Sequence, residues 1–475
     1  MINLKKKFDS FSISVYLFTF FVAGNILIFT ANGTCDEGDS ITHYQYARYA
    51  PLHLNLFFHH WAKPLFVLLA CPFSQFGFTG IKFFNLLLST VSMWFAFQIA
   101  VELKIKRAPL IALFLCMMPG WIVHSLSGLT EPMFAFTLSG SIFLYLRGKI
   151  ARATLLISFL PFVRSEGLIM CCVFGALLLI EKRWKVLPLL LFGHVFYAIA
   201  GFCTHHSFLW IFTKIPYAKM SSVYGTGNWE HFFINTPFIT GIPLYSLFLA
   251  GIFFLAFKIF SKNFLLENKR EFFLVYGCAL SYFLAHVVFW ALGIFNSMGL
   301  LRVLIAVLPL FAVIQLRGFN LVDFLPAAFP KKIVFTFLLA SVVLFPFTGN
   351  KFAWSYKKQF DLTVGQIQVT NAVQLMKAKF PEYKNSVFYY DASYVSLLLD
   401  LDPFDESVSR PVWKVWSTPH TKSEFVFWDD WFSAFEMSMP LESVDGNPHF
   451  ERVQEFLQQD EWGREKRLIL FKSTY

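Results

Sequence analysis

The segment that decides the fold occupies residues 34–65 and reads T-C-D-E-G-D-S-I-T-H-Y-Q-Y-A-R-Y-A-P-L-H-L-N-L-F-F-H-H-W-A-K-P-L. It follows directly on an apolar run at 11–30. It gathers acidic, basic and histidine side chains in a chain of which only 15% of the residues are charged. Ionisable groups concentrated beside a membrane segment are costly and mark functional regions. We therefore interpret residues 31–63 as a loop at a membrane surface that carries the chemistry of the protein.

The composition indicates a protein built mainly of membrane-spanning helices. Of its 475 residues, 56% are hydrophobic and 62 are Phe. Apolar runs of about 20 residues, the length needed to cross a bilayer, recur along the chain. The sequence predicts apolar segments at 11–30, 81–101, 109–126, 130–146, 153–163, 167–180, 186–203, 242–260, 272–292, 298–316 and 333–347.

The basic residues are distributed as the positive-inside rule expects. If the N-terminus is cytoplasmic, six inner segments each carry three Lys or Arg, and these lie at 1–10, 102–107, 147–152, 181–185, 261–270 and 317–332. The net charge of +10 therefore reflects membrane topology and does not indicate nucleic-acid binding. Residues 64–78 are short and interrupted by Pro72, so they predict an interfacial or re-entrant half-helix.

This topology predicts an integral, multi-pass protein of the inner membrane whose active side faces away from the cytoplasm. The loop 31–63 and everything after about residue 348 lie on that outer side. Residues 348–475 carry more charges and shorter apolar runs than the rest. Their patterns predict a helix at 361–380, a further helix at 450–459, and strands at 386–390, 425–428 and 467–471.

Four further motifs follow the acidic pair Asp36-Glu37 in order. They are H-H-W-A-K-P-L at 59–65, G-L-T-E-P at 128–132, F-V-R-S-E-G-L at 162–168 and N-S-M-G-L-L-R at 296–302. Together they resemble the polyprenol-phosphate-dependent glycosyltransferases of the GT-C superfamily, which include protein and lipid mannosyltransferases and lipid A aminoarabinose transferases. The resemblance covers roughly residues 10–350. Two positions depart from the family pattern, since Lys63-Pro64-Leu65 has a single Pro and Ser165 replaces a Pro.

The resemblance implies a polytopic α-helical, GT-C-like membrane domain at 1–347, followed by a small extracytoplasmic α/β domain at 348–475. It implies an enzyme that moves a sugar from a polyprenyl-phosphate donor to a hydroxyl acceptor on the outer face, with inversion. The Thr-Glu-Pro element favours mannose or another hexose. The acceptor is a glycan, a lipid or a protein. No cofactor is implied beyond the donor substrate.

The resemblance also implies roles for individual residues. Asp36 is the expected base for the acceptor hydroxyl, with Glu37 as the alternative or as its partner. Arg164 and Arg302 are expected to bind the donor phosphate, because a bidentate phosphate contact offsets the cost of a guanidinium at membrane depth. Lys63 is expected to make a similar contact. Snorkelling to lipid headgroups is the structural alternative for these three cations.

Four more residues are expected to position the substrates: Glu131, Glu166, His59 and His60. Glu131 has an alternative role, since a carboxylate at a helix start complements the helix dipole. The His residues lack the spacing of metal ligands, so we predict no metal site.

Two other functions fit parts of the pattern. A transporter or permease for a polar solute or glycolipid would also have many spans and buried charges, but its sites usually lie at helix breaks within repeated halves. The sequence shows no such repeat. A non-catalytic scaffold would use the C-terminal region for protein contacts, and the acidic loop argues against it.

Overall fold

The computed structural model describes residues 2–218, 221–259, 264–355, 359–417, 423–460 and 462–474. A helical part is followed by a C-terminal part that contains a β-sheet. The α-helices of the first part are Ile2–Thr30, Asp39–Tyr49, Pro64–Ser74, Gly77–Glu102, Leu110–Met117, Pro119–Ser125, Glu131–Leu146, Ile150–Ile157, Gly167–Ile180, Phe192–Ala200, Phe202–His205, Trp210–Thr213, His231–Asn235, Pro237–Thr240, Ile242–Ile259, Phe264–Glu271, Cys278–Leu292, Leu308–Phe319 and Lys331–Leu344. The 3-10 helices are Leu54–Phe58, Leu160–Phe162, Leu187–Leu191, Leu301–Val307, Asn320–Phe324 and Phe345–Phe347, and Phe272–Gly277 is a π-helical turn.

Several of these helices can cross a membrane. Among the described residues, five are long and apolar enough, namely Phe11–Thr30, Gly77–Glu102, Ile242–Ile259, Glu267–Leu292 and Leu301–Phe324. Their outer faces remain apolar, and the Phe253 and Phe257 side chains are 69% and 72% exposed. Exposed apolar surface on this scale is stable in contact with lipid. The prediction of a polytopic helical membrane protein is confirmed.

Several predicted apolar segments are not continuous helices, as two examples show. The segment 109–126 breaks at Met118, whose extended backbone precedes Pro119. Proline disfavours the helical conformation in the residue before it, which explains the break. The segment 298–316 begins as a 3-10 helix, and its α-helix starts only at Leu308. By contrast, the half-helix predicted after Lys63 is present as the 11-residue helix Pro64–Ser74.

Glu131 and the basic segments lie at opposite ends of the helical part. Helix Glu131–Leu146 runs from the site residue Glu131 to the basic segment that starts at Arg147. The basic segments contact one another at this second end, through the ion pairs Arg107–Asp323 (2.8 Å), Arg147–Glu102 (3.0 Å), Arg270–Glu181 (2.7 Å) and Arg317–Glu271 (2.6 Å). Five of the six segments that the positive-inside rule places together therefore lie together in space.

Two helices approach each other closely at a pair of glycines. A Cβ atom added to Gly318 would lie 2.0 Å from the carbonyl oxygen of Leu247, and one added to Gly251 would lie 2.2 Å from that of Ile314. Small residues at such contacts allow helix backbones to pack directly in membranes. Helices Ile242–Ile259 and Leu308–Phe319 are thereby held together near the end of the helical part that carries the basic segments.

We expect Gly318→Ala to destabilise the helical part by about 1–3 kcal/mol, because the added methyl group forces the two backbones apart. The measurement is the midpoint of thermal unfolding in detergent micelles. The control is Gly175→Ala, whose Cβ would meet only the end of the Leu190 side chain at 3.4 Å. An unchanged midpoint in Gly318→Ala would contradict the close packing of these helices.

The C-terminal part contains a five-stranded mixed sheet. Its strands are β1 Val387–Tyr390, β2 Ser409–Arg410, β3 Glu424–Asp429, β4 Phe450–Gln459 and β5 Glu465–Ser473, in the order β2-β1-β3-β5-β4. The pairs that involve β1 are parallel, and the β3–β5 and β4–β5 pairs are antiparallel. The other elements are the α-helices Val364–Lys379, Ser393–Leu399 and Leu441–Asp445, the 3-10 helices Pro381–Asn385 and Val412–Trp416, and the π-helical turn Asp430–Glu436.

The predicted helix at 450–459 is wrong, because this segment is strand β4. Its apolar residues are spaced three and four apart, which suits a helix as well as an irregular edge strand. The strand forms a hairpin with β5 and contains a bulge between Arg452 and Gln454. Pairing with β5 therefore outweighs the local pattern. The predicted helix at 361–380 and the three predicted strands are present, with ends shifted by one to three residues.

The C-terminal part is docked on helix Asp39–Tyr49. Gln45 Nε2 donates to Ser396 Oγ (2.6 Å), and Tyr49 Oη donates to the Leu401 carbonyl oxygen (2.9 Å). At the far end of this surface, His53 Nε2 lies 2.8 Å from Asp402 Oδ2. The loop that follows the first helix is therefore held between the membrane part and the C-terminal part.

Candidate active site

Asp36 is held by the backbone of its own loop. Its Oδ1 atom accepts hydrogen bonds from the backbone N–H groups of Gly38 (3.1 Å) and Ser40 (2.9 Å), at the start of helix Asp39–Tyr49. Ser40 Oγ in turn accepts from the backbone N–H of Gly128 (2.7 Å), which joins this loop to the next motif. The Asp36 Oδ2 atom is left to face Arg302, with which it is in direct contact.

Arg302 connects three acidic side chains. Its guanidinium group contacts the carboxylates of Asp36 and Asp39, and its Nε atom lies 3.9 Å from Glu131 Oε1. Arg302 begins the 3-10 helix that leads into Leu308–Phe319. The fourth motif therefore brings its arginine directly to the acidic loop.

Arg164 pairs with Glu131, which also lies near Arg302, and with a further carboxylate, that of Glu166. It lies in the break between the Leu160–Phe162 turn and helix Gly167–Ile180. Its Nη1 atom is 2.7 Å from Glu131 Oε1, and its Nη2 atom is 2.9 Å from Glu166 Oε1. We call Asp36, Asp39, Glu131, Arg164, Glu166 and Arg302 the carboxylate–arginine network.

The centre of the network is buried, and some of its polar atoms have no hydrogen-bond partner. The Glu131 side chain is 1% exposed. Its Oε2 atom, Arg164 Nε and Arg302 Nε are buried and have no hydrogen-bond partner among the described residues. Buried polar atoms are normally paired, so unpaired guanidinium N–H groups indicate space for a ligand that accepts hydrogen bonds.

Lys63 contacts the same break before helix Gly167–Ile180 in which Arg164 lies. Its Nζ atom donates to Ser165 Oγ (2.8 Å). Burial lowers the pKa of Lys63 to about 8, while the Glu166 carboxylate raises it. A third cation therefore adjoins the network. It contacts Ser165, the residue that replaces a proline of the GT-C pattern.

Three predicted site residues lie elsewhere. The Glu37 carboxylate points away from Arg302 and lies beside Gly365, at the start of helix Val364–Lys379. His59 Nε2 is 3.5 Å from Tyr46 Oη, and His60 Nε2 is 3.0 Å from the Ile211 carbonyl oxygen. Burial lowers the pKa of His60 to about 4. The positioning roles of the two His residues and the catalytic role of Glu37 stay predictions.

Two residues of the arrangement were not predicted. Asp39 is in direct contact with Arg302. His286 is buried within helix Cys278–Leu292, and its Nε2 atom is 3.5 Å from Glu166 Oε1. An ionisable residue in the middle of an apolar span is a signal of function, and His286 carries that signal in the sequence.

Comparison with solved structures identifies the fold. The chain is similar to the crystal structure of ArnT from Cupriavidus metallidurans bound to undecaprenyl phosphate, with a TM-score of 0.60 and 11% sequence identity over 97% of each chain. It is similar to the apo structure of the same protein with a TM-score of 0.59 and 11% identity, over 97% of this chain and 98% of that one. The chain has an ArnT-like GT-C fold.

The GT-C likeness extends over almost the whole length of both chains, so it includes the C-terminal sheet as well as the helical part. No protein-family profile matches the sequence, and no curated protein matches it. At 11% identity the likeness establishes the fold.

Proposed function

We propose that this protein is a membrane glycosyltransferase that takes a sugar from a polyprenyl-phosphate donor and transfers it to a hydroxyl acceptor. The observation that carries the proposal is the pair of arginines with unpaired buried Nε atoms beside Asp36. A phosphate group accepts several hydrogen bonds and suits two guanidinium groups and an ammonium group. ArnT, whose fold this chain shares, binds undecaprenyl phosphate in its crystal, which supports the same class of donor here.

In the proposed mechanism the donor phosphate binds Arg164, Arg302 and Lys63. Arg302 contacts Asp36, so a phosphate that binds this guanidinium competes with the Asp36 carboxylate for it and frees the carboxylate to act as a base. Asp36 then takes the proton of the acceptor hydroxyl as its oxygen attacks the anomeric carbon. The bond from that carbon to the phosphate oxygen breaks, and polyprenyl phosphate leaves with its charge stabilised by the cations. A single displacement of this kind inverts the anomeric configuration.

The remaining parts of the proposal follow from sequence features. The N-terminus is cytoplasmic and the C-terminal α/β domain (348–475) lies outside the inner membrane, because the connected basic segments mark the cytoplasmic end. The helical domain spans residues 1–347. The transferred sugar is mannose or another hexose, as the Thr-Glu-Pro element favours. Glu131 and Glu166 position the substrates, and the ion pairs that they form with Arg164 support this role.

The experiment is sugar transfer by the purified protein in detergent, supplied with polyprenyl-phosphate-linked mannose and an extract of membrane acceptors. A second reaction uses other polyprenyl-phosphate hexoses. Transfer from any of these donors supports the reaction class, and the donor that works identifies the sugar. Absence of transfer from all of them, together with solute flux across proteoliposomes, would instead support a transporter.

Lys63 gives the transfer reaction a predicted pH dependence. Its pKa is lowered to about 8, so the ammonium group is charged below that pH and loses its proton above it. We expect KM for the donor to rise about tenfold between pH 7 and pH 9, because only the charged form attracts phosphate. Lys63→Arg should keep a flat KM over this range, since Arg stays protonated. A rise of the same size in Lys63→Arg would assign the titration to another group.

A further inference from the structure

A cavity that opens to solvent lies between the Asp36 loop and the C-terminal part. Its enclosed volume is about 30 Å³. Glu37 forms its wall on the membrane side, and the start of helix Val364–Lys379, the end of β3 and the start of β5 form the rest. None of the six residues of the carboxylate–arginine network lines it.

Asp429 lines this cavity and has a buried, unpaired oxygen. The residue is 8% exposed. Its Oδ1 atom accepts from the backbone N–H groups of Trp431 (3.0 Å) and Phe432 (2.6 Å), while Oδ2 is buried without a partner in the described part of the chain. Burial raises the pKa of Asp429 to about 7. A hydrogen-bond donor on a ligand would satisfy the unpaired oxygen, which otherwise destabilises the folded state.

The other polar groups of the cavity have mixed charge. Asp430 and Glu37 add two carboxylates, and Asp430 Oδ2 accepts from the backbone N–H of Arg467 (3.1 Å). Lys466 adds an ammonium group, whose Nζ atom lies 5.0 Å from the ring centre of Trp431. Within the described ranges, neither Glu37 nor Lys466 forms an ion pair. The cavity thus offers both acceptors and donors of hydrogen bonds.

This mixture selects a class of ligand. The ammonium group of Lys466 disfavours a simple cation, and the three carboxylates disfavour a simple anion. A neutral polyhydroxylated molecule matches both kinds of group, because each hydroxyl donates one hydrogen bond and accepts others. The rings of Tyr394 and Phe432, which also line the cavity, supply apolar surface for the C–H face of such a molecule.

We propose that this cavity is a subsite for a saccharide unit of the acceptor, which rests on the proposed transferase function. Gln366 lines the cavity and connects it to the catalytic loop, since its Nε2 atom donates to Thr34 Oγ1 (2.6 Å) and lies 3.4 Å from the Asp36 carbonyl oxygen. A saccharide bound here lies next to the residue that holds the expected base. The acceptor is therefore a glycan or a glycolipid.

The test is saturation-transfer NMR on the full-length protein in detergent micelles. The probes are the methyl glycosides of mannose, glucose and galactose, together with N-acetylglucosamine and its β-1,4-linked dimer. We expect at least one probe to bind the wild type. We expect Asp429→Asn and Lys466→Gln each to raise its Kd about tenfold, the effect of losing one hydrogen bond to a charged group. Asn in place of Asp429 still accepts the two backbone hydrogen bonds, and Lys466 is partly exposed, so both variants should fold.

The matched control is Lys472→Gln, on the same strand but outside the cavity, where Lys472 pairs with Glu382. Its Kd should equal that of the wild type. Binding should also persist in Arg302→Met, because the network does not line this cavity. Lack of binding by every probe, or a Kd unchanged in both cavity variants, would overturn the subsite. Wild-type saccharide binding without any sugar transfer would overturn the proposed function alone.

Discussion

Asp36→Asn is expected to lower the rate of sugar transfer by about 10³-fold, near the middle of the range for removal of a general base. The asparagine oxygen can still accept the hydrogen bonds from Gly38 and Ser40 that shape the loop. It cannot take the proton of the acceptor hydroxyl, and it no longer carries the charge that contacts Arg302. The measurement is transfer from polyprenyl-phosphate-linked sugar by each purified variant, at saturating donor.

The control for this substitution is Asp361→Asn, an exposed residue shortly before helix Val364–Lys379. It should leave the rate unchanged. The thermal midpoint of Asp36→Asn should show that the variant is folded. Full activity in folded Asp36→Asn would remove the base from this position and leave Glu37 as the remaining carboxylate of the pair. Restored activity at higher pH alone would not contradict the assignment, because the solvent then supplies more base.

Arg164→Met is expected to destabilise the protein by about 3–5 kcal/mol, the usual cost of removing one partner from a buried ion pair. Glu131 and Glu166 then stay buried in the network without their main counter-charge. The free energy of unfolding can be measured by titration with SDS in mixed micelles, followed by Trp fluorescence. Transfer activity should be lost as well, since the donor phosphate loses one of its two guanidinium groups.

The matched control is Arg147→Met, which removes an ion pair with Glu102 at the other end of the helical part. The Arg147 side chain is 57% exposed, so its loss should cost no more than about 1 kcal/mol. Adding Glu131→Gln to Arg164→Met should recover part of the lost stability, because one unpaired carboxylate is neutralised. Equal destabilisation by Arg164→Met and Arg147→Met would show that the network does not hold the helices together.

The sequence was most informative about the membrane helices, because a bilayer requires long apolar runs and basic connections on one side. Apolar run lengths and basic connections predicted the helical membrane part, and the basic segments do meet in space. Local breaks were harder to locate, because Pro119 interrupts a run that is apolar throughout. Strand β4 was mistaken for a helix because its pairing partner β5 contributes more than its own residue pattern.

The sequence predicted which residues form the candidate site better than it predicted how they contact one another. Motif order indicated Asp36, Arg164 and Arg302, which share one network in the structure. The sequence could not show that Glu37 faces the C-terminal part, since adjacent residues in a turn can point to opposite sides. Nor could it show the contact between Asp39 and Arg302, which depends on how the fourth motif folds over the first.

The docking of the C-terminal part on the Asp36 loop has a consequence for biosynthesis. The bond between Gln45 and Ser396 joins residues 351 positions apart, and the bond between Gln366 and Thr34 joins residues 332 positions apart. The ribosome therefore synthesises the Asp36 loop long before it synthesises the segments that fix the shape of this loop. The helices between them are therefore synthesised first. A nascent or truncated chain without residues 366 and 396 lacks these contacts, and the Asp36 loop takes its final shape only after the helical part has been made.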